Sequence, residues 1–160
     1  MKPVILIIGG HDSGKSTVIT SLTGCKSHNI RGLVKDRSTG KRIYVVTSSP
    51  QEDELTGRKF QTILRTVIRK TEVIGLVIAI QPTRPYKHLS LETIIQKVME
   101  NDALSIFAFL INPPYNNTGI INIDETRARL GELGIVTRYL DGRRFAFLNA
   151  MEIKLIAGIP

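Results

Sequence analysis

One stretch near the amino end constrains this chain more than any other: Val4 to Gly24, VILIIGGHDSGKSTVITSLTG. Val4 to Ile8 is an unbroken run of apolar β-formers and reads as a buried strand. It stops at Gly9 and Gly10. Gly9, Gly14, Lys15 and Ser16 then satisfy the spacing G-x-x-x-x-G-K-[ST]. Val18, Ile19 and Leu22 follow at helical spacing, so a helix opens where the glycine loop closes. Strand, glycine loop and helix in succession are the context in which this spacing makes a phosphate cradle. Glycines let successive backbone N–H groups turn inward and approach an anion. The helix N-terminus adds unpaired N–H groups and a partial positive charge. The cradle is predicted over Gly9, Gly10, His11, Asp12, Ser13, Gly14, Lys15, Ser16 and Thr17. In it the Lys15 ammonium neutralises terminal phosphates and the Ser16 hydroxyl ligates Mg²⁺.

The rest of the chain is read as one domain over residues 1–160. A 42% apolar share fits a globular core. The longest apolar run, Val73 to Ile80, is far too short to span a bilayer, and the amino-terminal run is too short for a signal sequence. A cytoplasmic protein with no membrane partner is therefore expected. One cysteine, Cys25, excludes an internal disulfide and supplies no metal cluster. The formal charge of +8 exceeds what a phosphate ligand needs. The surplus suits RNA, DNA or an acidic protein surface, and equally a well-solvated exterior.

Further strands are expected at Leu33 to Lys35, Arg42 to Val46, Val73 to Ile80, Leu104 to Ile111 and Ile135 to Leu140. DRSTGK, with Gly40 placed for a hairpin turn, makes the second strand antiparallel to the third. Ser49, Pro50 and Glu52 read as N-cap, first helical residue and capping-box partner of a helix. Its apolar face is Phe60, Ile63, Leu64, Val67 and Ile68, and its opposite face is basic: Arg58, Lys59, Arg65, Arg69 and Lys70. Ser90 caps a helix with Leu91, Ile94, Ile95, Val98 and Met99 on its apolar face, and Asp124 to Leu133 forms another, stopped by Gly134. In the tail, Phe145, Leu148, Met151 and Leu155 favour a helix. Asp141-Gly142 as a hairpin turn, with Met151, Ile153 and Leu155 alternating, favours strands. The alternation of strands and helices predicts an α/β, doubly wound, mostly parallel sheet of about six strands with one antiparallel strand. Ligand loops in such sheets follow the carboxyl ends of the parallel strands, here from Gly9, Thr47, Gln81, Asn112 and Asp141.

GGHDSGKSTVITSLTG resembles the opening of small GTPase-like P-loop NTPases, in particular the class that holds translation factors and ribosome-assembly GTPases. The resemblance implies a sheet of Ras-like topology, and Mg²⁺ with GTP or ATP as ligand. Elsewhere the family's motifs are altered. At the end of the third strand, where the family has D-x-x-G, the chain reads Thr47-Ser48-Ser49-Pro50. Thr47 then stands as a weak metal-side candidate through a bound water. Gln51 falls where many members keep the water-positioning glutamine, or serves only the predicted helix start. After the fifth strand, N-K-x-D is replaced by Asn112, Pro113, Pro114 and Tyr115, so the guanine-reading carboxylate is gone. Asn112 and Tyr115 remain as base-side candidates. The switch threonine is missing; the Gly24–Arg31 segment offers only Ser27. Together these imply a slow or inactive hydrolase acting as a nucleotide-dependent switch. Two other readings stand beside it. One is a nucleic-acid or protein interaction module with a vestigial loop, using the basic helix face. The other is an ATPase or nucleotide kinase, although Thr47 and Gln81 stand where such enzymes keep an acidic residue. Arg84 reads as an arginine finger or a solvated loop residue, and His11 as a γ-phosphate contact or an outward side chain.

Overall fold

The computed structural model describes every residue except Ser27, 37–38, 51–53, 83–88 and 117–119. The strands are β1 (Lys2–Ile8), β2 (Arg31–Lys35), β3 (Arg42–Val46), β4 (Val73–Ile80), β5 (Leu104–Ile111) and β6 (Thr137–Leu140). The helices are α1 (Lys15–Thr23), α2 (Gly57–Arg69), α3 (Leu91–Met99), α4 (Ile123–Glu132) and α5 (Ala146–Ala157). All six strands join one sheet in the order β2-β3-β4-β1-β5-β6. Only the β2–β3 pair is antiparallel. This is the doubly wound, mostly parallel sheet of six strands with one antiparallel strand that the sequence predicts. Gly40 takes a φ of 71° and closes the β2–β3 turn as expected.

The two cores follow from strand parity, since alternate side chains leave opposite faces. Val4, Leu6 and Ile8 of β1 join α2 and α3 in one cluster. Ile5 and Ile7 join α1 and α5 in the other. Residues Val4 to Ile8 have no exposed surface at all, because β1 is covered on both faces and paired on both edges. Among the described residues, no helix is long and apolar enough to cross a membrane.

Helix ends and faces depart from expectation in places. The helix predicted to start after Ser49 begins instead at Gly57, with the Thr56 hydroxyl accepting from the Lys59 N–H at 3.3 Å. Pro50 lies in a turn, Glu54 has a φ of 41°, and Leu55 is wholly buried before the cap. The helix therefore starts where its buried face, opening at Phe60, can reach the sheet. The tail is the helix α5, closed by Gly158 in the left-handed conformation. Its buried side is Asn149, Ala150, Ile153 and Ala157, not the Phe145–Leu148–Met151–Leu155 stripe. Two of the four buried residues, Ala150 and Ala157, are small, while Phe147, Met151 and Leu155 stay exposed. Met99, expected on a core face, is exposed at the last turn of α3. Ser90 caps α3 as predicted, and Asn122 caps α4.

A polar clamp ties the outer helices together. The Arg129 Nε of α4 donates to Glu92 Oε1 of α3 at 2.6 Å, and its Nη1 donates to the Pro82 carbonyl at 2.6 Å. Burial pushes the Glu92 carboxyl up, but its own backbone N–H, the Arg129 guanidinium and Ser90 outweigh that and hold it below its ordinary value. A lowered carboxyl pKa contributes stability that is complete above the unfolded value and lost as pH falls through the folded one. Arg129→Ala is expected to cost about 1–3 kcal/mol at pH 7, toward the lower end because Glu92 is a third exposed. The cost should be smaller at pH 3 than at pH 7, because the Glu92 contribution is lost as pH falls through its lowered folded value. Urea unfolding of both proteins at the two pH values checks this; equal costs would remove the clamp from the acid response.

Candidate functional site

The loop leaving β1 is held from its first residue. The Gly9 N–H donates to the Ile80 carbonyl at the end of β4, at 3.1 Å. The chain then closes a turn in which the Ser13 N–H faces the Gly10 carbonyl. Asp12 and Gly14 both take positive φ, 53° and 100°. Gly14 is in the region that strains any L side chain. A Cβ on Gly9 would run into the Ser13 hydroxyl, so the loop can be this tight only with glycine there. Lys15 is almost fully buried, and its ammonium donates to the Gly10 carbonyl, folding back over its own loop. His11 and Asp12 stand exposed at the tip, their side chains 3.4 Å apart. Thr17 is exposed on α1, one turn beyond the loop.

Two features fit this loop to an anion. The first is that no side chain caps α1, whereas Thr56, Ser90 and Asn122 cap α2, α3 and α4. The N–H groups at its start are thus open to a ligand. The second is the Ser13 hydroxyl, which is buried without a hydrogen-bond partner. A buried orphan of this kind costs free energy until something satisfies it. The residues present suit a chain of phosphates with a cation.

On the metal side, the Ser16 hydroxyl donates to the Thr47 carbonyl at 3.2 Å. Donating its proton leaves the Oγ lone pairs open to a cation. Thr47 is buried, and its own hydroxyl is engaged with Ile30. It accepts from the Ile30 N–H at 2.7 Å and donates to the Ile30 carbonyl at 3.2 Å. The structure brings Ser16 and Thr47 together, then, but through the Thr47 peptide rather than its side chain. Gln51, Arg84 and Ser27 lie outside the described residues.

Two further loops complete the surroundings of the glycine loop, and they carry the base-side candidates Asn112 and Tyr115. The Tyr115 N–H donates to the Ser13 carbonyl at 3.1 Å, tying the loop after β5 to the phosphate loop. The Asn112 N–H reaches the Leu140 carbonyl, and the Gly142 N–H reaches the Pro113 carbonyl at 2.8 Å, tying in the loop after β6. Between them lies a cavity of about 430 Å³ against Gly14, Thr17, Tyr115, Arg143, Phe145 and Asn149. Tyr115 therefore lines it, and Asn112 does not. Asn149 is wholly buried: its Nδ2 donates to the Asp141 carbonyl at 2.9 Å, while its Oδ1 has no partner. The Asp141 carboxylate accepts from the Arg143 N–H at 2.9 Å. That bond, with the Arg143 and Arg144 charges, outweighs desolvation and holds the carboxyl below its ordinary value. Arg143, Arg144, Phe145 and Asn149 did not emerge as site residues from the sequence. The Asp141-Gly142 turn at a strand's carboxyl end was the available signal. A larger cleft of about 720 Å³ lies at the far end of α1, beside Cys25, Lys35 and Arg42. Size does not make it the site, since the phosphate-loop residues are all at the other end of the helix.

No family model and no curated protein matches the chain. Among solved structures it is similar to the G-domain of FeoB from Methanococcus jannaschii, at 20% identity and a TM-score of 0.47 over 98% of each chain. It is also similar to APE1195, at 13% identity and a TM-score of 0.52, covering 98% of this chain and 95% of that one. At such identities the likeness to APE1195 is one of fold.

Gly142 tests how the two base-side loops depend on each other. A Cβ there would sit 2.7 Å from Ile111 Cγ2, 2.8 Å from the Pro113 carbonyl oxygen and 2.8 Å from the Tyr115 nitrogen. Two of the three are backbone and cannot swing aside. Gly142→Ala is expected to destabilise by about 1–3 kcal/mol, as overpacking does. An unchanged urea midpoint would mean that these loops are not packed as described.

Proposed function

We propose that this chain, as one domain over residues 1–160, binds a nucleoside triphosphate with Mg²⁺ in the manner of GTPase-like P-loop proteins. The observation that carries the proposal is the buried Lys15 ammonium, held on the loop's own Gly10 carbonyl beside an uncapped helix start. The ammonium lies against the loop that would hold the phosphates, so a β- or γ-phosphate seated there would meet a positive charge as well as open backbone N–H groups. Gly9 to Thr17 would hold the phosphates through backbone N–H groups, and Ser16 the metal. Bound Mg²⁺ would bridge phosphate oxygens and offset charge developing on them. The 430 Å³ cavity would take the base, against Tyr115 and Phe145.

Fast hydrolysis does not belong to this reading. Thr47 replaces the family's carboxylate, and its hydroxyl is committed to Ile30. Pro50 has no N–H to offer a γ-phosphate. Turnover well below the common range of about 1–10³ s⁻¹ is expected, with bound nucleotide acting as a switch rather than as fuel. Among the described residues no carboxylate lines the 430 Å³ cavity, so this reading gives GTP no advantage over ATP.

A second reading is favoured by α2, whose solvent side carries Arg58, Lys59, Arg65, Arg69 and Lys70, all exposed. This face suits RNA, DNA or an acidic protein, and steeply salt-dependent RNA binding without nucleotide would support it as the main role.

A thermal-shift series with ATP, GTP, their diphosphates and Mg²⁺ tests the first reading, since ligands that bind the native state raise its melting temperature. Triphosphate with Mg²⁺ should raise it, and Lys15→Ala should abolish the rise. Ser16→Ala should remove the Mg²⁺ dependence while leaving part of the phosphate response. A Lys15→Ala protein that still responds fully would end the assignment.

A further inference from the structure

Helix α5 is packed inside out. Towards α1 and the sheet it buries the small residues Ala150 and Ala157, with Ile153 and Asn149. Towards solvent it presents Phe147, Met151 and Leu155, which are 53%, 62% and 85% exposed. These three recur every four residues, so they form one stripe along the helix. Phe145, 76% exposed, extends the stripe by stacking on Phe147, with ring centroids 6.1 Å apart. The contrast with α2 is plain, because that helix turns four cations to solvent, and its C-cap Lys70 adds a fifth. Single exposed apolar residues need no explanation, but a continuous stripe of large ones does.

We propose that this stripe is covered by the α5 of a second copy of the chain, the two helices packed antiparallel about a twofold axis at Met151. The spacing is symmetric about that residue. Phe147 lies four positions before it and Leu155 four after, so in an antiparallel pair each Phe147 falls beside the other copy's Leu155 while Met151 meets Met151. The charges follow the same symmetry. Arg144 lies seven residues before Met151 and Gly158 seven after. The pairing therefore brings each Arg144 to the other copy's α5 carboxyl end, where a helix carries partial negative charge. Parallel packing would instead set Arg143 and Arg144 against their own copies. The area is of the right order. Taking roughly 200 Å² for a large side chain, the four residues expose on the order of 500 Å², and the flanking Leu148, Lys154 and Arg144 bring this near the ~800 Å² each partner gives to a stable interface. An anionic membrane is the poorer occupant: Lys154 is the one cation within α5, and the helix also carries the acidic Glu152.

A thiol placed on the axis meets itself, which gives a direct test. Met151→Cys should form a disulfide-linked dimer quickly under mild oxidation. Lys70→Cys, on the exposed end of α2, should not, and the wild type, whose Cys25 is buried, should not either. By light scattering at tens of micromolar, the wild type should have twice the 17.8 kDa chain mass, and the double variant Met151→Glu, Leu155→Glu should have that mass once. Both substitutions face solvent, so the thermal melt of the double variant should show a cooperative, folded monomer. A wild type that is monomeric at this concentration overturns the proposal, as does a dimer that survives the double substitution. A monomer that cosediments with phosphatidylserine-containing vesicles, and loses this on double substitution, overturns it in favour of a membrane surface.

Discussion

The structure depends on β1 being paired on both edges and covered on both faces. Val4 faces Leu76 across one edge and Ile106 across the other, and both registers continue to Ile8. A strand locked in this way cannot slip by one residue without sending every side chain to the wrong core. Its carboxyl end is therefore fixed in space, and the glycine loop inherits that fixed origin. Gly9 is still bonded to the Ile80 carbonyl before the chain turns. The parallel neighbours end at the same level. That is why the loops from Thr47, Asn112 and Asp141 converge on the one from Gly9, though more than a hundred residues separate the first from the last.

Convergence alone would not make a cradle; the backbone must also be left with open donors. Side chains close the starts of α2, α3 and α4, from Thr56, Ser90 and Asn122, while α1 and α5 begin without one. At α1 the chain places Gly14, which has no side chain to offer and whose φ of 100° aims the following peptides away from the strand. Tyr115 packs beside it, its Cβ 3.4 Å from where a Gly14 Cβ would lie, an ordinary contact distance, so it is the positive φ that calls for glycine here. The long loop bonds, Tyr115 to Ser13 and Gly142 to Pro113, hold the glycine loop and the loops after β5 and β6 at a set distance with backbone groups alone.

What could be read from the sequence was what is local and periodic. The strand–glycine–helix opening, the β2–β3 hairpin and the Ser90 cap each lie within a few residues, and each was found where expected. The errors arose where two plausible local signals competed and packing decided. Ser49-Pro50 looked like a helix start, yet α2 waits for Thr56, because Leu55 must enter the core before the helix axis is set. In α5 the apolar residues surround the helix, so periodicity could not choose a face; the close approach to α1 chose the alanines. Asn149 shows the limit most clearly. Nothing in FLNAM marks an asparagine that will be wholly buried, holding the Asp141 carbonyl with one end and leaving the other without a partner beside a cavity.

Thr47 shows how a changed motif alters what a loop can do. Its N–H and its hydroxyl make three bonds to the two sides of the Ile30 peptide unit, at 2.9, 2.7 and 3.2 Å. The segment entering β2 is therefore fastened to the end of β3 by backbone and hydroxyl, without a carboxylate. The carbonyl of the same residue accepts from Ser16. A cation drawn to the Ser16 oxygen would strengthen that hydroxyl as a donor and so tighten its hold on Thr47. The strain would pass through one peptide to Ile30, since Thr47 has no charge of its own with which to hold the metal's water. In this chain the two strand ends are already joined through Thr47 and Ile30, so a response to binding at the glycine loop would have to tighten or loosen these bonds rather than bring the two ends together.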